Sequence, residues 1–367
     1  MAKLLKSKQD KGLSRREFMM SASLLGAGIP AAGVMNALEY RRVSAQDMSM
    51  RAAMSNAGLA ATWCAQGKDT AEMWGRFLGV EIVWFDGQLD NNIQRAAVDQ
   101  IATQSWDFVA IQPFSIGTLV EPVSAMIGAG IPFIDMDTLL APIDQLPDIG
   151  VLSFIAPDNV FMSESVVTEL VRQMGGEGKI AHTWGAQGHT GAQGRAQGFY
   201  NIMAQYPNIE IVDDQPADWD VTRVAEIWES ILNRHPDLSA GFLHNDDMAL
   251  AARNVVVNAG LGDQVLLGGI DAMLPAIDAV VNGDLVATAR NSSVRIHGNS
   301  VLLGWYAATV GLDEARANVP NFLLADGPAI TASVDSNPDL AGEPWKLRGY
   351  GRSTAEGLRW LEEQLAF

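Results

Sequence analysis

Cysteine and histidine are scarce in this chain, which has one Cys and five His in 367 residues. A single thiol excludes an internal disulfide, and the scattered histidines lack the spacing of a zinc site, so we expect no metal. After the first 45 residues no apolar run reaches the roughly 20 residues that a membrane-spanning helix needs. With 48% hydrophobic residues, the chain can bury a large core, and we expect two lobes.

Positively charged residues are also few relative to negatively charged ones, and the formal net charge is −18. Residues 1–45 carry eight Lys and Arg against three Asp and Glu, so the rest of the chain is still more acidic. Such an acidic body repels phosphates and anionic headgroups. We therefore expect neither nucleic acid nor an anionic membrane surface as a partner.

The basic N-terminal segment has the pattern of an export signal. Four lysines precede the motif S-R-R-E-F-M at residues 14–19, and a short apolar run rich in small residues follows at 20–34. This pattern matches twin-arginine (Tat) signals. We predict removal after Ala45, with Ala37 as the alternative, a partnership with the Tat export machinery, and a soluble mature protein in the periplasm.

Strand and helix patterns alternate along the rest of the chain, which predicts parallel, doubly wound sheets. Two series with this rhythm predict two similar α/β lobes with a ligand cleft between them. The predicted strands are 51–55, 80–85, 108–112, 132–136, 179–183, 209–213, 240–243, 265–270 and 287–289, and the predicted helices are 68–78, one capped by Asp90, 120–128, 163–175, 194–206, 221–235, 248–259 and 274–282.

The stretch from Ser239 to Ala252 contains the clearest single site signal. An apolar strand ends at Leu243, and Asn245 lies just before the next helix, at the edge where open α/β sheets bind ligands. Helix capping is the alternative interpretation of Asn245. We expect the following Asp246 and Asp247 to be capping residues.

Six motifs in the chain stand out together by their order and separations. They are GIPFIDMDT (130–138), GRAQGF (194–199), QPADWD (215–220), FLHNDDMALAA (242–252), LLGGIDA (266–272) and GDLVATARN (283–291). In that order and at those separations they resemble the motifs of bacterial ribose-type periplasmic sugar-binding proteins. The resemblance implies a type I periplasmic binding fold, in which two lobes joined by a three-strand hinge close over a sugar and deliver it to a membrane ABC transporter permease.

The resemblance also implies how the chain is divided. We expect residues 1–45 to be the signal, 46–156 plus 291–322 the N-terminal lobe, and 157–290 plus 323–367 the C-terminal lobe. The last segment includes an amphipathic helix at 353–365. We expect hinge crossings at 156–159, at 290–292 and near 321–325, and a monomeric protein.

Carried over position by position, the resemblance implies seven ligand-binding residues. Carboxylates accept from hydroxyls, Arg and Asn donate, and Trp faces cover the apolar side of a sugar ring. Taken singly, the Asp residues can instead make turns or caps and the Trp residues can pack in the core. The seven are Trp63, Asp137, Arg195, Trp219, Asn245, Asp271 and Asn291.

Two departures from the family pattern argue against ribose as the ligand. Ribose binders place Arg directly after the first carboxylate, where this chain has Thr138, and their early Asn position falls on Ala61. The altered set favours another monosaccharide or an acyclic polyol. We expect Asp135 to face solvent or make a structural contact.

A sugar-binding protein for import is the function that the resemblance implies, with a small-molecule sugar or polyol and the permease as partners. The alternatives are a periplasmic sugar sensor for a chemoreceptor or signalling partner, and an exported carbohydrate-active enzyme. No nucleophile, metal cluster or cofactor loop is evident, and the glycine-rich segment 185–198 lacks the Lys-Ser/Thr ending of a phosphate loop. We therefore expect no catalytic residue and no cofactor.

Overall fold

The computed structural model describes residues 49–325, 329–331 and 347–348, and they form two sheets flanked by helices. The first sheet has six strands in the order β2-β1-β3-β4-β5-β11, and every neighbouring pair is parallel. Its strands are β1 Met50–Asn56, β2 Val80–Asp86, β3 Phe108–Ile111, β4 Phe133–Met136, β5 Ser153–Ala156 and β11 Phe322–Leu324.

The second sheet has seven strands in the order β7-β6-β8-β9-β10-β12-β13. Its first five strands are parallel, and the last two add antiparallel pairs at one edge. Its strands are β6 Gly178–Trp184, β7 Ile209–Pro216, β8 Ala240–Leu243, β9 Leu266–Ile270, β10 Ala287–Ala289, β12 Ala329–Thr331 and β13 Leu347–Arg348.

The helices alternate with these strands and cover the sheets. Helix α10 packs on α1, β3 and β4, whereas α5 packs on α6, β9 and β10. The helices are α1 Thr62–Leu78, α2 Asn91–Ala102, α3 Val120–Gly128, α4 Leu146–Ile149, α5 Asn159–Met174, α6 Thr190–Met203, α7 Val221–Arg234, α8 Asp246–Asn258, α9 Leu274–Asn282, α10 Ser293–Val310 and α11 Leu312–Asn318, with a 3-10 turn at Ile143–Gln145.

The strands and helices form where the sequence pattern favours them. All four residues of β3 and of β4 are buried, as expected for parallel strands that are covered on both faces. Helix α7 buries Val224, Trp228 and Ile231 on one side, and its N-terminus is capped by Asp220, whose carboxylate accepts from two backbone N–H groups.

Among the described strands, the chain changes from one sheet to the other three times. It leaves the first sheet after Ala156, returns after Ala289, and passes from β11 to β12 between Ala325 and Ala329. Strand β11 pairs with β5 through Leu324, two residues beyond the expected lobe boundary at 322. Elsewhere the division into 46–156 plus 291–322 and 157–290 plus 323–367 stays a prediction.

The predicted fold class, two parallel-sheet α/β lobes, is confirmed. The predicted signal at 1–45 and the predicted helix at 353–365 lie outside the described residues. None of the helices in the described part of the chain combines the length and the apolar character that crossing a membrane requires.

Candidate functional site

A cavity lies between the two lobes, at the carboxyl ends of strands from both sheets, where open α/β sheets place their ligands. The structure brings all seven predicted residues together on its walls. The lining consists of Ala57, Ala61, Trp63, Cys64, Leu89, Gln112, Asp137, His189, Arg195, Trp219, Asn245, Asp271 and Asn291.

Asp137 follows β4 and holds a left-handed backbone conformation, with φ of 56°. Gln112 Nε2 donates to its Oδ2 at 2.8 Å, and Asn291 Nδ2 donates to its Oδ1 at 3.2 Å. The other amide atom, Asn291 Oδ1, is buried without a hydrogen-bond partner among the described residues. The first lobe therefore presents a carboxylate fixed by two amides, beside an acceptor that a ligand can satisfy.

Arg195 projects from α6 into the cavity and is held by its own protein contacts. Its Nη1 donates to the carbonyl of His244, and its Nε donates to Asn159 Oδ1 at 3.0 Å. Its guanidinium carbon lies 5.6 Å from the ring centroid of Trp219, within cation–π range. The positive charge of the site is thus positioned before any ligand arrives.

Asp271 follows β9 and also has a left-handed backbone, with φ of 118°. Arg195 Nη2 lies 3.4 Å from its Oδ1. Burial raises the pKa of the Asp271 carboxyl well above its usual range, and the nearby Arg195 only partly opposes this. Strained backbone at both carboxylates, and at Trp219 with φ of 66°, is typical of residues held for a function.

Asn245 fulfils both interpretations made from the sequence. Its Oδ1 accepts from the backbone N–H of Met248 at 2.9 Å, so it is the N-cap of α8. Asn245 lines the cavity, and its amide nitrogen has no hydrogen-bond partner within residues 49–325. Capping fixes the side chain and leaves a donor for the cleft.

The expectation that Asp246 and Asp247 cap this helix is wrong. Asp246 is fully buried and accepts from Thr288 Oγ1 at 2.7 Å and from the Met273 backbone N–H at 2.8 Å. Asp247 instead reaches across the cleft to Thr62. Both aspartates tie α8 to other elements, a role that no local capping pattern shows.

Asp135, expected to face solvent or make a structural contact, makes a structural contact. Its side chain is fully buried, and its Oδ2 accepts from the backbone N–H of Leu140 at 2.8 Å. Burial raises its pKa well above the usual range. It therefore fixes the turn after Asp137 rather than lining the cavity.

The two tryptophans are anchored differently. Trp63 Nε1 donates to the carbonyl of Asn291 at 2.9 Å, so its ring is tied to the second crossing between the lobes. Trp219 packs on Gly185, where a Cβ would lie 2.0 Å from the indole ring. The glycine-rich segment thus provides room for an aromatic side chain at the cavity.

Gln112 and His189 line the cavity and were not predicted from the sequence. Gln112 directly follows β3, so the rule that singled out Asn245 could have found it. His189 comes from the loop before α6, and nothing local marks it. Cys64 also lines the cavity, but burial raises the pKa of its thiol and makes it a poor nucleophile.

Four of the five histidines are buried, and we call them the buried histidines: His182, His189, His244 and His297. Burial lowers the pKa of each, to about 4 for His189 and His297. The rings are therefore neutral near pH 7. No group of His, Cys, Asp and Glu side chains in the described part of the chain is arranged to hold a metal ion.

Hydrogen bonds between the lobes hold the cleft closed. Thr62 donates to Asp247 through its backbone N–H and its hydroxyl, each at 2.8 Å. On the other side of the cleft Thr138 Oγ1 lies 2.7 Å from His189 Nε2. Two further bonds, Leu139 N–H to Thr190 Oγ1 and Ile116 N–H to Gly188 O, are each 3.0 Å long.

The sequence of residues 52–311 matches the family described as periplasmic binding protein domain, and the chain belongs to that family. The predicted family is therefore confirmed.

Individual relatives agree with this assignment. The chain is 27% identical to the D-allose-binding periplasmic protein of Escherichia coli strain K12 over 72% of this chain and 85% of that protein. It is 30% identical to the ribose import binding protein RbsB of Salmonella typhimurium strain LT2, over 60% of this chain and 72% of that protein. An ABC transporter solute-binding protein from Agrobacterium vitis, solved with bound α-D-tagatopyranose, has the same fold, with a TM-score of 0.71, 23% identity, and coverage of 81% of this chain and 100% of that one.

Proposed function

We propose that the protein is an exported solute-binding protein that captures a monosaccharide or sugar alcohol between its lobes and delivers it to an ABC importer. The observation that carries this proposal is one cavity between the two sheets whose lining includes two carboxyl groups, one Arg, two Asn amides and two Trp rings. Hydroxyl groups both donate and accept, so a polyol can satisfy donors and acceptors of this kind together. The three relatives named above are called sugar-binding or solute-binding proteins, in agreement with this assignment.

Charge narrows the class of ligand. Asp137 and Asp271 oppose the single cation Arg195 on the cavity wall, and His189 is neutral. Burial favours the neutral form of Asp271, so the wall carries no excess of positive charge with which an anionic ligand such as a sugar phosphate could pair in a site of low dielectric. A neutral sugar or polyol needs no such partner, and the Trp faces cover its C–H surface.

Trp63, Asp137, Arg195, Trp219, Asn245, Asp271 and Asn291 are the residues that we propose bind the ligand. Arg195 and Asn245 donate, the two carboxylates and Asn291 Oδ1 accept, and the tryptophans stack. We propose that the protein binds its ligand without transforming it and acts as a monomer. Residues 1–45 direct it through the Tat machinery to the periplasm, which N-terminal sequencing of the exported protein tests.

Thermal unfolding against a panel of neutral sugars and polyols tests the binding function. The panel contains D-ribose, D-allose, D-glucose, D-tagatose, xylitol and myo-inositol. A ligand at one hundred times its Kd stabilises the folded state by about 2.7 kcal/mol, which raises Tm by several degrees. A folded protein whose Tm no member shifts would refute the sugar assignment.

An Asn245→Ser variant separates ligand binding from helix capping. Serine is as good an N-cap as asparagine, so the variant keeps the acceptor for the Met248 N–H while losing the amide donor. We expect its Tm without ligand to stay near the wild-type value and its ligand-induced shift to fall, because the affinity drops about tenfold on losing one hydrogen bond. An unchanged shift would remove Asn245 from the binding site.

A further inference from the structure

His189 lies at the N-terminus of α6, where its orientation is fixed by the backbone. It is the N-cap residue, and its Nδ1 accepts from the backbone N–H of Gly191 at 3.1 Å. The side chain is almost entirely buried and lines the cavity. An edge-to-face contact with Trp219, at 5.3 Å between ring centroids, holds the other side of the imidazole.

The cap also fixes which nitrogen of His189 carries the proton. A neutral imidazole has one N–H donor and one acceptor, and Nδ1 is the acceptor here, so the proton is on Nε2. Burial lowers the pKa of His189 to about 4, which keeps the ring neutral above about pH 5. His189 Nε2 is therefore a hydrogen-bond donor on a neutral ring at pH 7.

This donor lies close to Asp137 and Thr138, which belong to the opposite lobe. His189 Nε2 lies 2.7 Å from Thr138 Oγ1 and 3.6 Å from Asp137 Oδ2. Gln112 Nε2, another donor, lies 3.4 Å away and also faces Asp137 Oδ2. A carboxylate acceptor and an imidazole donor thus converge on one point of the cavity wall.

We propose that His189 is a specificity-determining residue that, together with Asp137, selects a hydroxyl group at one position of the ligand. The inference rests on the proposed function. On binding, the Nε2–H leaves Thr138 and donates to a ligand oxygen whose own hydrogen is donated to Asp137.

Together, His189 and Asp137 distinguish a hydroxyl group of the ligand from the groups that commonly replace it. A hydroxyl accepts from His189 and donates to Asp137 at the same time. An ammonium group donates but cannot accept, an ether oxygen accepts but cannot donate, and a deoxy carbon does neither. Each of the three replacements forfeits at least one of the two hydrogen bonds, so a ligand with a hydroxyl group at this position binds more tightly.

The test compares two variants in isothermal titration calorimetry. His189→Asn keeps a side-chain oxygen to cap α6 but is too short to donate into the cavity. Thr138→Val keeps the shape of its residue and removes the hydroxyl that His189 bonds in the closed cleft. The probes are D-ribose, D-glucose and D-allose, with the analogues 2-deoxy-D-ribose, 2-deoxy-D-glucose, 3-deoxy-D-glucose and D-glucosamine.

We expect His189→Asn to bind the hydroxylated probe about tenfold more weakly and to lose the preference over the analogue altered at the selected position. Preferences at other positions should persist. Thr138→Val loses only this bond of the closed cleft, so its affinity should fall by one common factor for every probe while the wild-type preferences among the probes persist.

Two results would overturn the inference. Unchanged affinities and ratios in His189→Asn would show that the ring does not contact the ligand. A uniform loss of affinity for every probe in both variants would show that the pair only holds the lobes together. If wild type binds none of the probes or the other panel members while folded, the proposed function itself fails, which is a separate result.

Discussion

Helix α1 has no cap in its own lobe, and the opposite lobe supplies one. Its N-cap residue is Ala61, which makes no side-chain cap bond. The Asp247 carboxylate accepts from the backbone N–H and the hydroxyl of Thr62, the first residue of α1. It thus occupies the position where a capping side chain and a favourable helix-dipole charge both act, but only when the cleft is closed.

Losing this contact should shift the balance between open and closed forms. A cap is worth about 1 kcal/mol, and an acidic group near a helix N-terminus adds about 0.3 to 1 kcal/mol. Because Thr62 lies at the solvent edge of the cleft, where solvent screens the helix-dipole contribution, we count the cap alone, about 1 kcal/mol, which is about fivefold in the closed population. The apparent Kd of a ligand that binds the closed form rises by the same factor when the free protein is mostly open.

We therefore expect Asp247→Ala to bind its sugar about fivefold more weakly by calorimetry. Thr62→Val, which keeps the backbone bond, should have a smaller effect. Asp220→Ala is the matched control, since Asp220 caps α7 within its own lobe, and it should lower Tm without changing Kd. An Asp247→Ala protein with wild-type Kd would refute the cross-lobe cap as a determinant of closure.

Two further predictions concern the cavity wall and the buried histidines. In Gly185→Ala the new methyl group must displace the Trp219 ring, a clash worth about 1–3 kcal/mol. Calorimetry should therefore show about tenfold weaker sugar binding. An affinity equal to that of wild type would exclude the Trp219 ring from the binding site. Because burial lowers the pKa of the buried histidines, the unfolded chain binds protons at them between about pH 6.5 and pH 4 while the folded protein does not. Their stabilising contribution is therefore complete above about pH 6.5 and is lost as the pH falls towards 4, whereas the raised pKa values of Asp135 and Asp271 change the stability in the opposite direction. The test is therefore a difference between two proteins: in urea unfolding, His297→Gln should gain stability relative to wild type as the pH falls through this window. A difference that does not change with pH would contradict it.

The sequence predicted the bounds of several strands and helices correctly, and strong periodicity was not required for it. Helix Val120–Gly128 and strands Ala240–Leu243 and Ala287–Ala289 have the predicted bounds. Strand β5 was missed because four buried residues between turns carry no periodic signal. Helix α10 was missed for a related reason, since it is buried on nearly every side and shows no polar face.

Site residues were predictable where a strand end marks them. Asp137, Asn245 and Asp271 follow buried strands, so their position at the cleft is set by the topology of parallel sheets. His189 and the cross-lobe bond of Asp247 depend on how two separately folded lobes meet. Contacts between lobes leave no local sequence pattern. This explains why His189 was not predicted and why Asp247 was assigned to capping its own helix.

Asn291 lies where the chain returns from the second sheet to the first, and it belongs to the part of the site that the first lobe provides. The Asn291 carbonyl accepts from Trp63 Nε1, and its amide donates to Asp137, while Ser293 Oγ donates to the Trp63 carbonyl at 2.6 Å. Opening about this crossing therefore leaves the stacking ring, the carboxylate and the amide together. Arg195 is likewise held by bonds within its own lobe. Since each half is assembled before they meet, ligand binding has to fix mainly the relative position of the lobes, and little side-chain ordering remains to oppose affinity.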